Sequence, residues 1–422
     1  MAGDAAFLTD PAVRTLFAAL PGARAVGGCV RDALAGQQIA DIDLATPMHP
    51  SEVMRALADA GVKSVATGLH HGTITAIVAG CSFEVTTLRR DLVTDGRHAE
   101  VEWTDDWRED AARRDFTINA MSMTPAGELF DYFSGVADLR AGRVRFVGSA
   151  ALRVAEDHLR ILRYFRFQAR YGVGELDRDA LAAISGAANS IVRLSVERVW
   201  SELKRILAAP DPAASVLLMQ QLGVLQVVLP EGANPTLLTR LCASNAPHDP
   251  LLRLAALLTG DSLVLAQRMK LSVAESAYLE ALAEKPSTAG GTGLGEDRVA
   301  TRAPAENSTL SRQRERVEET LMLGPDSSDA DVRRALASRP RDVLIGRTWL
   351  AGGSAWDPLR QRLAAAEIPV FPLAGRDVLA RGIPPGPRVG ELLQAVRGWW
   401  MDGGCIADAA ACRAELARLA AG

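Results

Sequence analysis

The sequence of 422 residues lacks a strong excess of either charge, any paired cysteine motif and any long apolar run. Its formal net charge is −4, and this balance argues against a protein that is basic over its whole surface. A basic face for nucleic acid can still coexist with an acidic remainder. Hydrophobic residues make up 48% and charged residues 23%, a globular composition that excludes disorder over most of the chain.

The five cysteines are scattered and form no CxxC pair. A disulfide framework and a structural zinc site are therefore disfavoured, and a reducing cytoplasm is the simplest setting. The N-terminus, Met-Ala-Gly-Asp, has neither the basic nor the apolar region of a signal peptide. The longest uncharged stretch, 213–229, contains three glutamines and is too short to span a bilayer, so we expect no membrane partner.

The first third of the chain mixes strand-like and helix-like patterns, whereas helical spacing dominates after residue 149. We predict strands over 23–26, 40–44, 72–78 and 82–88, and helices over 30–34 and 51–60. The polar segment 89–100, which contains Asp95-Gly96, predicts a turn or flexible loop. A strand-containing head followed by a helical body favours an α+β fold over a doubly wound α/β fold.

A glycine pair follows the first predicted strand. The segment Gly27-Gly28-Cys29-Val30-Arg31-Asp32 places two glycines before a predicted helix and an arginine in its first turn. Glycines let a backbone approach a ligand closely, a helix N-terminus offers N–H groups, and an arginine adds a fixed cation. The segment therefore fits either a triphosphate-binding turn or an ordinary glycine turn beside a surface arginine.

Two aspartates, Asp41 and Asp43, come shortly after this turn. On a strand, residues i and i+2 project from the same face, so both carboxylates would point the same way. Such a pair of oxygen ligands suits Mg²⁺, although a solvated strand face has the same pattern. Glu84, on a neighbouring predicted strand, fits either a third metal ligand or a rim residue that pairs with an arginine such as Arg89.

Two further segments combine charged and apolar residues. Residues 113–121 begin with charged side chains and end in an apolar run, so they fit either sugar and phosphate recognition or a helix cap. In 156–166, an acidic residue is followed by arginines at every third position: Asp157, Arg160, Arg163 and Arg166. An adjacent Asp and Arg can pair with the edge of a base, but a solvated helix face also shows this spacing.

A histidine–aspartate pair, His248-Asp249, is typical of some metal-dependent phosphohydrolases. That chemistry needs further His and Asp ligands, and the remaining histidines form no partner motif. We therefore expect a turn before the Leu-rich helix that starts near Leu251.

In this order, the segments resemble the class II tRNA nucleotidyltransferases, the bacterial CCA-adding enzymes and their poly(A) polymerase relatives. The resemblance rests on four motifs: Gly27-Gly28-x-x-Arg31-Asp32 with Asp41-x-Asp43, Arg113-Arg114-Asp115-Phe116-Thr117-x-Asn119-Ala120, Glu156-Asp157-x-x-Arg160, and Glu197-Arg198 before a helix. It covers at least residues 20–210, and a fainter likeness continues at 373–377 and 382–387.

The resemblance implies a polymerase-β-like nucleotidyltransferase head followed by an all-α neck, body and tail. The head is expected over 1–148, the neck with the base-reading motif over 149–210, the body over 211–310 with a terminal linker or loop, and a tRNA-binding tail over 311–422. The implied reaction is attack of the tRNA 3′-hydroxyl on the α-phosphate of CTP or ATP, with Mg²⁺ as cofactor and release of pyrophosphate. The resemblance also implies a monomer, and the cysteine usage favours the cytoplasm.

The matching positions give expected roles. Asp41 and Asp43 are the expected catalytic residues and Mg²⁺ ligands, and Glu84 is the third ligand that the strand geometry suggests. The expected nucleotide-binding residues are Gly28 and Arg31 for the triphosphate, Arg114, Asp115 and Asn119 for the sugar, and Asp157 and Arg160 for the base, with Arg163 and Arg166 nearby. Glu197 and Arg198 are expected to brace the base-reading region, and Asp95-Gly96-Arg97 is similar to the family's flexible loop.

The resemblance leaves alternatives open. A bacterial poly(A) polymerase shares the head, although Thr67–Thr73 is similar to the CCA-adding form. Some enzymes of the family add only C-C or only A, and the loop at Asp95-Gly96-Arg97 favours the complete activity. A catalytically inactive RNA-binding module is a different class, against which both aspartates argue. His158 departs from the small residue usual at its position in the family.

Overall fold

The computed structural model describes residues 6–68, 72–94, 99–284 and 323–421. The predicted linker 285–310, the middle of Thr67–Thr73 and the Asp95-Gly96-Arg97 turn lie outside these ranges. The chain divides into two compact units: unit 1 is Met1–Pro235 with Gln267–Lys270, and unit 2 is Thr236–Ala266 with Leu271–Gly422. None of the described helices is both long and apolar enough to cross a membrane.

The described strands all belong to unit 1. They are β1 (Arg24–Val26), β2 (Asp43–Thr46), β3 (Lys63–Gly68), β4 (Thr73–Val78), β5 (Cys81–Thr87), β6 (Arg89–Thr94), β7 (Ala99–Trp103), β8 (Met121–Met123) and β9 (Leu129–Asp131). Seven form one sheet in the order β3-β4-β5-β2-β1-β8-β9, while β6 and β7 form a separate ribbon. β2 and β5 are parallel, and the other neighbours in the sheet are antiparallel.

Local turn chemistry explains the hairpin between β4 and β5. Ala79 and Gly80 connect Val78 to Cys81, and both have positive φ, 51° and 82°. Two-residue turns with positive φ at both positions match the right-handed twist of the paired strands. The two predicted strands joined near Gly80 are confirmed.

The strand predicted over 40–44 begins later than expected, at Asp43. β1 ends at Val26, which pairs with Asp43, so no partner residue extends the β1–β2 ladder back to Asp41. Asp41 therefore precedes the strand, and the argument that both aspartates project from one strand face was wrong for this residue. The predicted loop over 89–100 was also wrong in part, because β6 and β7 pair across it. The polar residues suggested a loop, but the segment forms part of a two-stranded ribbon. A cross-strand ion pair joins Arg90 Nη2 to Glu102 Oε2 at 2.5 Å.

The helices of unit 1 cover the sheet and then continue as an all-helical region. They are α1 (Pro11–Ala19), α2 (Gly28–Leu34), α3 (Pro50–Asp59), α4 (Trp107–Ala112), α5 (Gly135–Arg140), α6 (Ala150–Glu156), α7 (Leu159–Tyr171), α8 (Arg178–Ala187), α9 (Val196–Leu207), α10 (Ala213–Gln221) and α11 (Val224–Val228). Leu16 of α1 and Leu57 of α3 pack in one fully buried cluster with Leu44 and Ile74 of the sheet. Each such side chain contributes about 1.5–3 kcal/mol on burial.

The acidic and arginine row at 157–166 does not lie on one helix. α6 ends at Glu156 and α7 begins at Leu159, with Asp157 in an extended conformation between them. Asp157 Oδ1 accepts a hydrogen bond from the Leu159 N–H at 3.0 Å. Aspartate competes with helical backbone bonds in this way, which explains why the helix breaks at this position.

The secondary-structure elements that the structure describes in unit 2 are helices joined by loops. The helices that follow α11 are α12 (Pro235–Ala243), α13 (Pro250–Leu257), α14 (Ser262–Met269), α15 (Val273–Ala283), α16 (Asp329–Ser338), α17 (Arg341–Ala351), α18 (Asp357–Ala365), α19 (Gly375–Leu379), α20 (Pro387–Asp402) and α21 (Ala409–Ala421). Asp249 Oδ1 caps α13 by accepting from the N–H groups of Leu251 and Leu252 at 2.8 and 2.9 Å. The helix expected to start near Leu251 is thereby confirmed, and it begins at Pro250.

Candidate active site

The glycine pair forms the turn between β1 and α2. Gly27 has φ +71°, in the left-handed region that favours glycine, and a Cβ there would lie 3.1 Å from Arg114 Nη1. Its N–H donates to the Met121 carbonyl at 3.2 Å, which fastens the turn to β8. Arg31, one turn into α2, is only 8% exposed. Glycine at 27 therefore serves both the backbone conformation and the close approach of an arginine from the next motif.

Hydrogen bonds connect the glycine turn to two other motifs. Arg31 donates to Asp32 Oδ1 and Oδ2 at 3.0 and 3.1 Å and, through Nη1, to Asn119 Oδ1. Asn119 Nδ2 donates to Asp115 Oδ1 at 3.0 Å. Arg163 Nε, on α7, donates to Asp115 Oδ2 at 2.7 Å. Hydrogen bonds therefore link the predicted triphosphate-binding, sugar-reading and base-reading elements.

Tyr171 extends this connection at the end of α7. Its hydroxyl donates to Asp32 Oδ1, and its ring centre lies 4.6 Å from the Arg31 guanidinium. Burial raises the pKa of Tyr171 to about 12, so the hydroxyl keeps its proton at neutral pH. Burial also acts to raise the pKa of Asp115, but Arg163 and Asn119 reverse this effect and lower it. We call this set the polar chain: Tyr171, Asp32, Arg31, Asn119, Asp115 and Arg163.

Carboxylates gather at the start of β2. Asp43 lies beside Glu84, its register partner on the parallel strand β5. Burial and the negative charges of Glu84 and Asp41 raise the pKa of Asp43 to about 6, while Arg114 acts to lower it. Among the described residues, no three or more His, Cys, Asp or Glu side chains are grouped as a metal centre. The neighbouring carboxylates that disfavour ionisation of Asp43 nevertheless fit a divalent cation, whose charge would offset their repulsion.

The predicted base-reading residues are each held by a different partner. Asp157 Oδ2 pairs with Arg198 of α9 at 2.7 Å, and Arg160 pairs with Glu156. Arg160 Nη1 also donates to the carbonyl of residue 153 at 3.0 Å. Arg198 therefore braces Asp157, whereas Glu197 pairs with Lys270 at 2.7 Å, where both side chains are more than half exposed.

Arg166 is held from α9 as well. Its Nη1 donates to Glu202 Oε1 at 3.0 Å, and its guanidinium lies 4.6 Å from the centre of the Phe167 ring. Glu202 is only 3% exposed. Burial and the positive charge of Arg163 lower the pKa of Arg166 to about 10, which leaves it charged at neutral pH. A buried carboxylate thus fixes this cation in one orientation.

The glycine turn, the start of β2 and helix α7 surround one cavity of about 950 Å³ in unit 1. Every predicted site residue except Glu84 lines it: Gly28, Arg31, Asp41, Asp43, Arg114, Asp115, Asn119, Asp157, Arg160, Arg163 and Arg166. Eight arginines and four aspartates line the cavity in total. The excess of positive charge suits a polyanionic ligand, and the arginine forks suit phosphate oxygens.

Several lining residues escaped the sequence prediction, among them Phe167, Arg170, Tyr171 and Arg205. The first three continue the same face of α7 at steps of three and four residues. The helical period of 3.6 would have found them, whereas a fixed step of three stops at Arg166. The packing of α9 against α7 places Arg205 in the cavity lining, and the sequence gives no local signal for that packing.

Family models match two parts of unit 1. One described as the poly A polymerase head domain matches residues 23–145, and one described as the probable RNA and SrmB-binding site of polymerase A matches residues 175–234. The mitochondrial CCA tRNA nucleotidyltransferase 1 of Mus musculus is 36% identical over 391 residues, which is 90% of this chain and 83% of that protein. The CCA-adding enzyme of Lacticaseibacillus paracasei is 29% identical over 386 residues, covering 88% and 86%.

Solved structures show the same fold. The CCA-adding enzyme of Bacillus stearothermophilus in complex with CTP matches with a TM-score of 0.72 and 24% identity, over 98% of both chains. The CCA-adding enzyme of Thermotoga maritima in complex with tRNA matches with a TM-score of 0.61 and 20% identity, over 94% of this chain and 91% of that one. The predicted α+β architecture, a polymerase-β-like head followed by helical regions, is confirmed.

Proposed function

The chain belongs to the CCA tRNA nucleotidyltransferase family, and from this premise we propose that it adds C-C-A to the 3′ end of tRNA without a template, from CTP and ATP. One observation carries the proposal. A single cavity brings together the Asp41 and Asp43 carboxylates, the glycine turn with Arg31, and the residues expected to read sugar and base. These are the parts that a nucleotidyl transfer to an RNA hydroxyl requires.

Mg²⁺ is the proposed cofactor, held by Asp41 and Asp43 together with phosphate oxygens of the nucleotide. The residues fit it, because burial and the negative charges of Glu84 and Asp41 raise the pKa of Asp43 to about 6, and a nearby cation would offset the repulsion between these carboxylates. When bound, the ion would supply charge neutralisation for the attacking oxygen and the leaving pyrophosphate. We keep Glu84 as a predicted third ligand. The observation that supports it is its register with Asp43, its partner across the β2–β5 pair.

The nucleotide is proposed to lie along α7, with its triphosphate at the Arg31 end. Gly28 permits close approach, and Arg31 is already oriented by Asp32 and Asn119. Arg114, which the resemblance assigns to the sugar, lies beside the same turn, so we propose that it acts here as a second cation for the triphosphate. Two pre-oriented guanidinium groups bind phosphates at a small ordering cost, which is how such sites gain affinity.

The sugar and base are proposed to be read by groups further along the cavity. Asp115 and Asn119 are the sugar-reading pair, supported from α7 by Arg163. Asp157 and Arg160 are the base-reading pair and offer complementary acceptors and donors, while Arg166 supplies charge nearby. A partly dry site of this kind rejects bases that leave its polar groups unpaired, so the protein itself selects the nucleotide.

The partners proposed for this chain are tRNA, CTP and ATP. We keep the predicted segments as functional regions: the head over 1–148, the neck over 149–210, the body over 211–310 and a tRNA-binding tail over 311–422. We also propose a monomer in the cytoplasm, and the five free cysteines suit a reducing compartment.

The experiment is 3′-end sequencing of a tRNA transcript that lacks CCA, after incubation with the protein, Mg²⁺, CTP and ATP. Addition of C-C-A followed by arrest is the expected result. Addition of C-C alone, or of A only to a transcript that already ends in C-C, would assign a split activity. A long A tail on arbitrary RNA would assign poly(A) polymerase. No addition despite tRNA binding would contradict the catalytic proposal and leave the RNA-binding module.

A further inference from the structure

Asp110 is a buried carboxylate beside the cavity that no sequence motif singled out. It lies on α4 and is only 2% exposed. Its Oδ1 accepts from Arg113 Nε at 2.9 Å and Nη2 at 2.8 Å. Its Oδ2 accepts from Arg114 Nη2 at 3.1 Å and Nε at 3.4 Å. One buried anion therefore holds two adjacent guanidinium groups, one on each oxygen.

The two arginines differ in their position relative to the cavity. Arg114 lines the cavity, and Arg113 is absent from its lining. Because Nε and Nη2 of Arg114 face Asp110, its Nη1 is the nitrogen left for other contacts. That nitrogen lies 3.1 Å from the position of a Cβ on Gly27, directly against the glycine turn. Asp110 thus sets which edge of the Arg114 guanidinium is presented to the cavity.

We propose that Asp110 is a positioning residue that acts through Arg114, an inference that rests on the proposed function of the cavity. An arginine side chain has many rotamers, and fixing it before the ligand arrives removes an ordering cost that binding would otherwise carry. Asp110 also supplies a charge-assisted bond that is shielded from water, where such bonds are strong. The pre-oriented Arg114 then meets the triphosphate beside Arg31 without rearrangement.

Asp110→Asn tests this role, because asparagine keeps the size of the side chain and removes its charge. The assay is steady-state addition to a tRNA transcript, together with calorimetric titration of CTP into the protein without RNA. We expect the KM and Kd for CTP to rise roughly tenfold, the effect of a lost charge-assisted hydrogen bond, while the Kd for tRNA stays within about twofold. Unchanged CTP binding in the folded variant would overturn the proposal.

A double-mutant cycle separates positioning from a general structural role. In an Arg114→Ala background, Asp110→Asn should weaken CTP binding by less than about twofold, because the group it positions is gone. An undiminished loss in that background would contradict the proposal. Arg113→Ala is the matched control: it removes the other guanidinium group held by the same carboxylate and should leave CTP binding within about twofold.

Folding is checked separately by circular dichroism and thermal melting of each variant. If Asp110→Asn does not fold, Asp110→Glu replaces it, since glutamate keeps the charge on a longer stem and should weaken CTP binding less than Arg114→Ala does. Equal or greater weakening by Asp110→Glu would then count against the proposal. CTP titration needs no turnover. An inactive wild-type protein would therefore contradict the proposed function, whereas missing Asp110–Arg114 coupling would contradict this inference alone.

Discussion

Arginines are used in opposite ways in the two units. In unit 2, Arg360 is 6% exposed and donates five hydrogen bonds, to Thr348 Oγ1 and O, the Gly352 and Gly353 carbonyls, and Asp357. A guanidinium has five N–H donors, so this one has none to spare for a ligand. In unit 1, Arg31 and Arg114 are fastened by carboxylates on one edge and also line a cavity. Arg360 also lines a small cavity, so burial beside a cavity does not by itself indicate ligand binding. The difference is whether the guanidinium keeps N–H donors for a ligand.

The same contrast extends to the surroundings. The interior of unit 2 includes apolar clusters such as the one around Trp400, Leu392 and Leu416. The unit 1 cavity is instead lined and backed by buried charged groups that pair with one another: Asp115 lines it, while Asp32 and Asp110 hold the lining residues Arg31 and Arg114. Buried polar networks are costly unless every member has a partner. Because these buried polar groups are concentrated at the unit 1 cavity, we expect nucleotide binding and transfer there.

The largest expected effect is on the carboxylates that we propose as catalytic. Asp43→Asn should lower the rate of nucleotide addition by at least about a thousandfold, because a lost ligand removes several kcal/mol of charge stabilisation from the transition state. The Kd for tRNA, measured by filter binding, should stay within about twofold. Glu84→Gln, as the matched neighbour on β5, should cost less, and an equal loss would place Glu84 among the essential ligands.

The next effect should fall on stability in unit 2. Arg360→Met should lower the free energy of unfolding by about 3 kcal/mol or more, because it leaves buried carbonyls without donors. Urea unfolding followed by circular dichroism measures this loss. Under conditions where the variant is folded, its Kd for CTP should match the wild type. A weakened CTP affinity would contradict the distinction between Arg360, whose donors are all used within unit 2, and the arginines of the unit 1 cavity.

A smaller effect is expected at the end of the polar chain. Tyr171→Phe keeps the ring beside Arg31 but removes the hydroxyl that donates to Asp32. Loss of one such bond should raise the KM for CTP and ATP by roughly three- to tenfold, with little change in kcat, since Arg31 loses part of its support. The readout is initial-rate kinetics on a tRNA ending in C-C for ATP and on one lacking CCA for CTP. An unaltered KM would remove Tyr171 from the site.

The smallest effect is expected at a surface pair of unit 2. Arg388 and Glu391 lie 3.3 Å apart on α20, and both side chains are more than half exposed. Solvent and salt screen such pairs, so Arg388→Ala should change the free energy of unfolding by less than about 0.5 kcal/mol. Thermal melting provides the measurement, and a loss above 1 kcal/mol would contradict it.

Much of the cavity lining was predictable because its residues occur in short, ordered motifs. The glycine turn, Asp115 with Asn119, and Asp157 with Arg160 are local patterns, and the cavity collects all of them. Arg205 was not predictable in this way, because its place in the cavity depends on the packing of α9 on α7. Asp110 is different: it lies four residues before Arg114, so their ion pair follows a local helical spacing that the motif analysis did not include.

The fold shows the same division between local and long-range causes. The β4–β5 hairpin was predictable from two strand-like segments joined near Gly80, a residue that adopts positive φ readily. The positive φ of Ala79 was not, because alanine disfavours that conformation. The late start of β2 was not, since it depends on where the distant partner β1 ends. Pairing of β6 with β7 likewise depends on the partner strand rather than on the polarity of either segment.

The central claim is that side chains of this cavity choose the nucleotide, and the direct measurement is competition among all four nucleoside triphosphates on a tRNA that ends in C-C. The wild type should incorporate ATP almost exclusively. In Asp157→Asn, the preference for ATP over GTP should fall by at least about tenfold, because one base-edge acceptor is lost. An unchanged preference in a folded, active variant would contradict the claim that Asp157 reads the base.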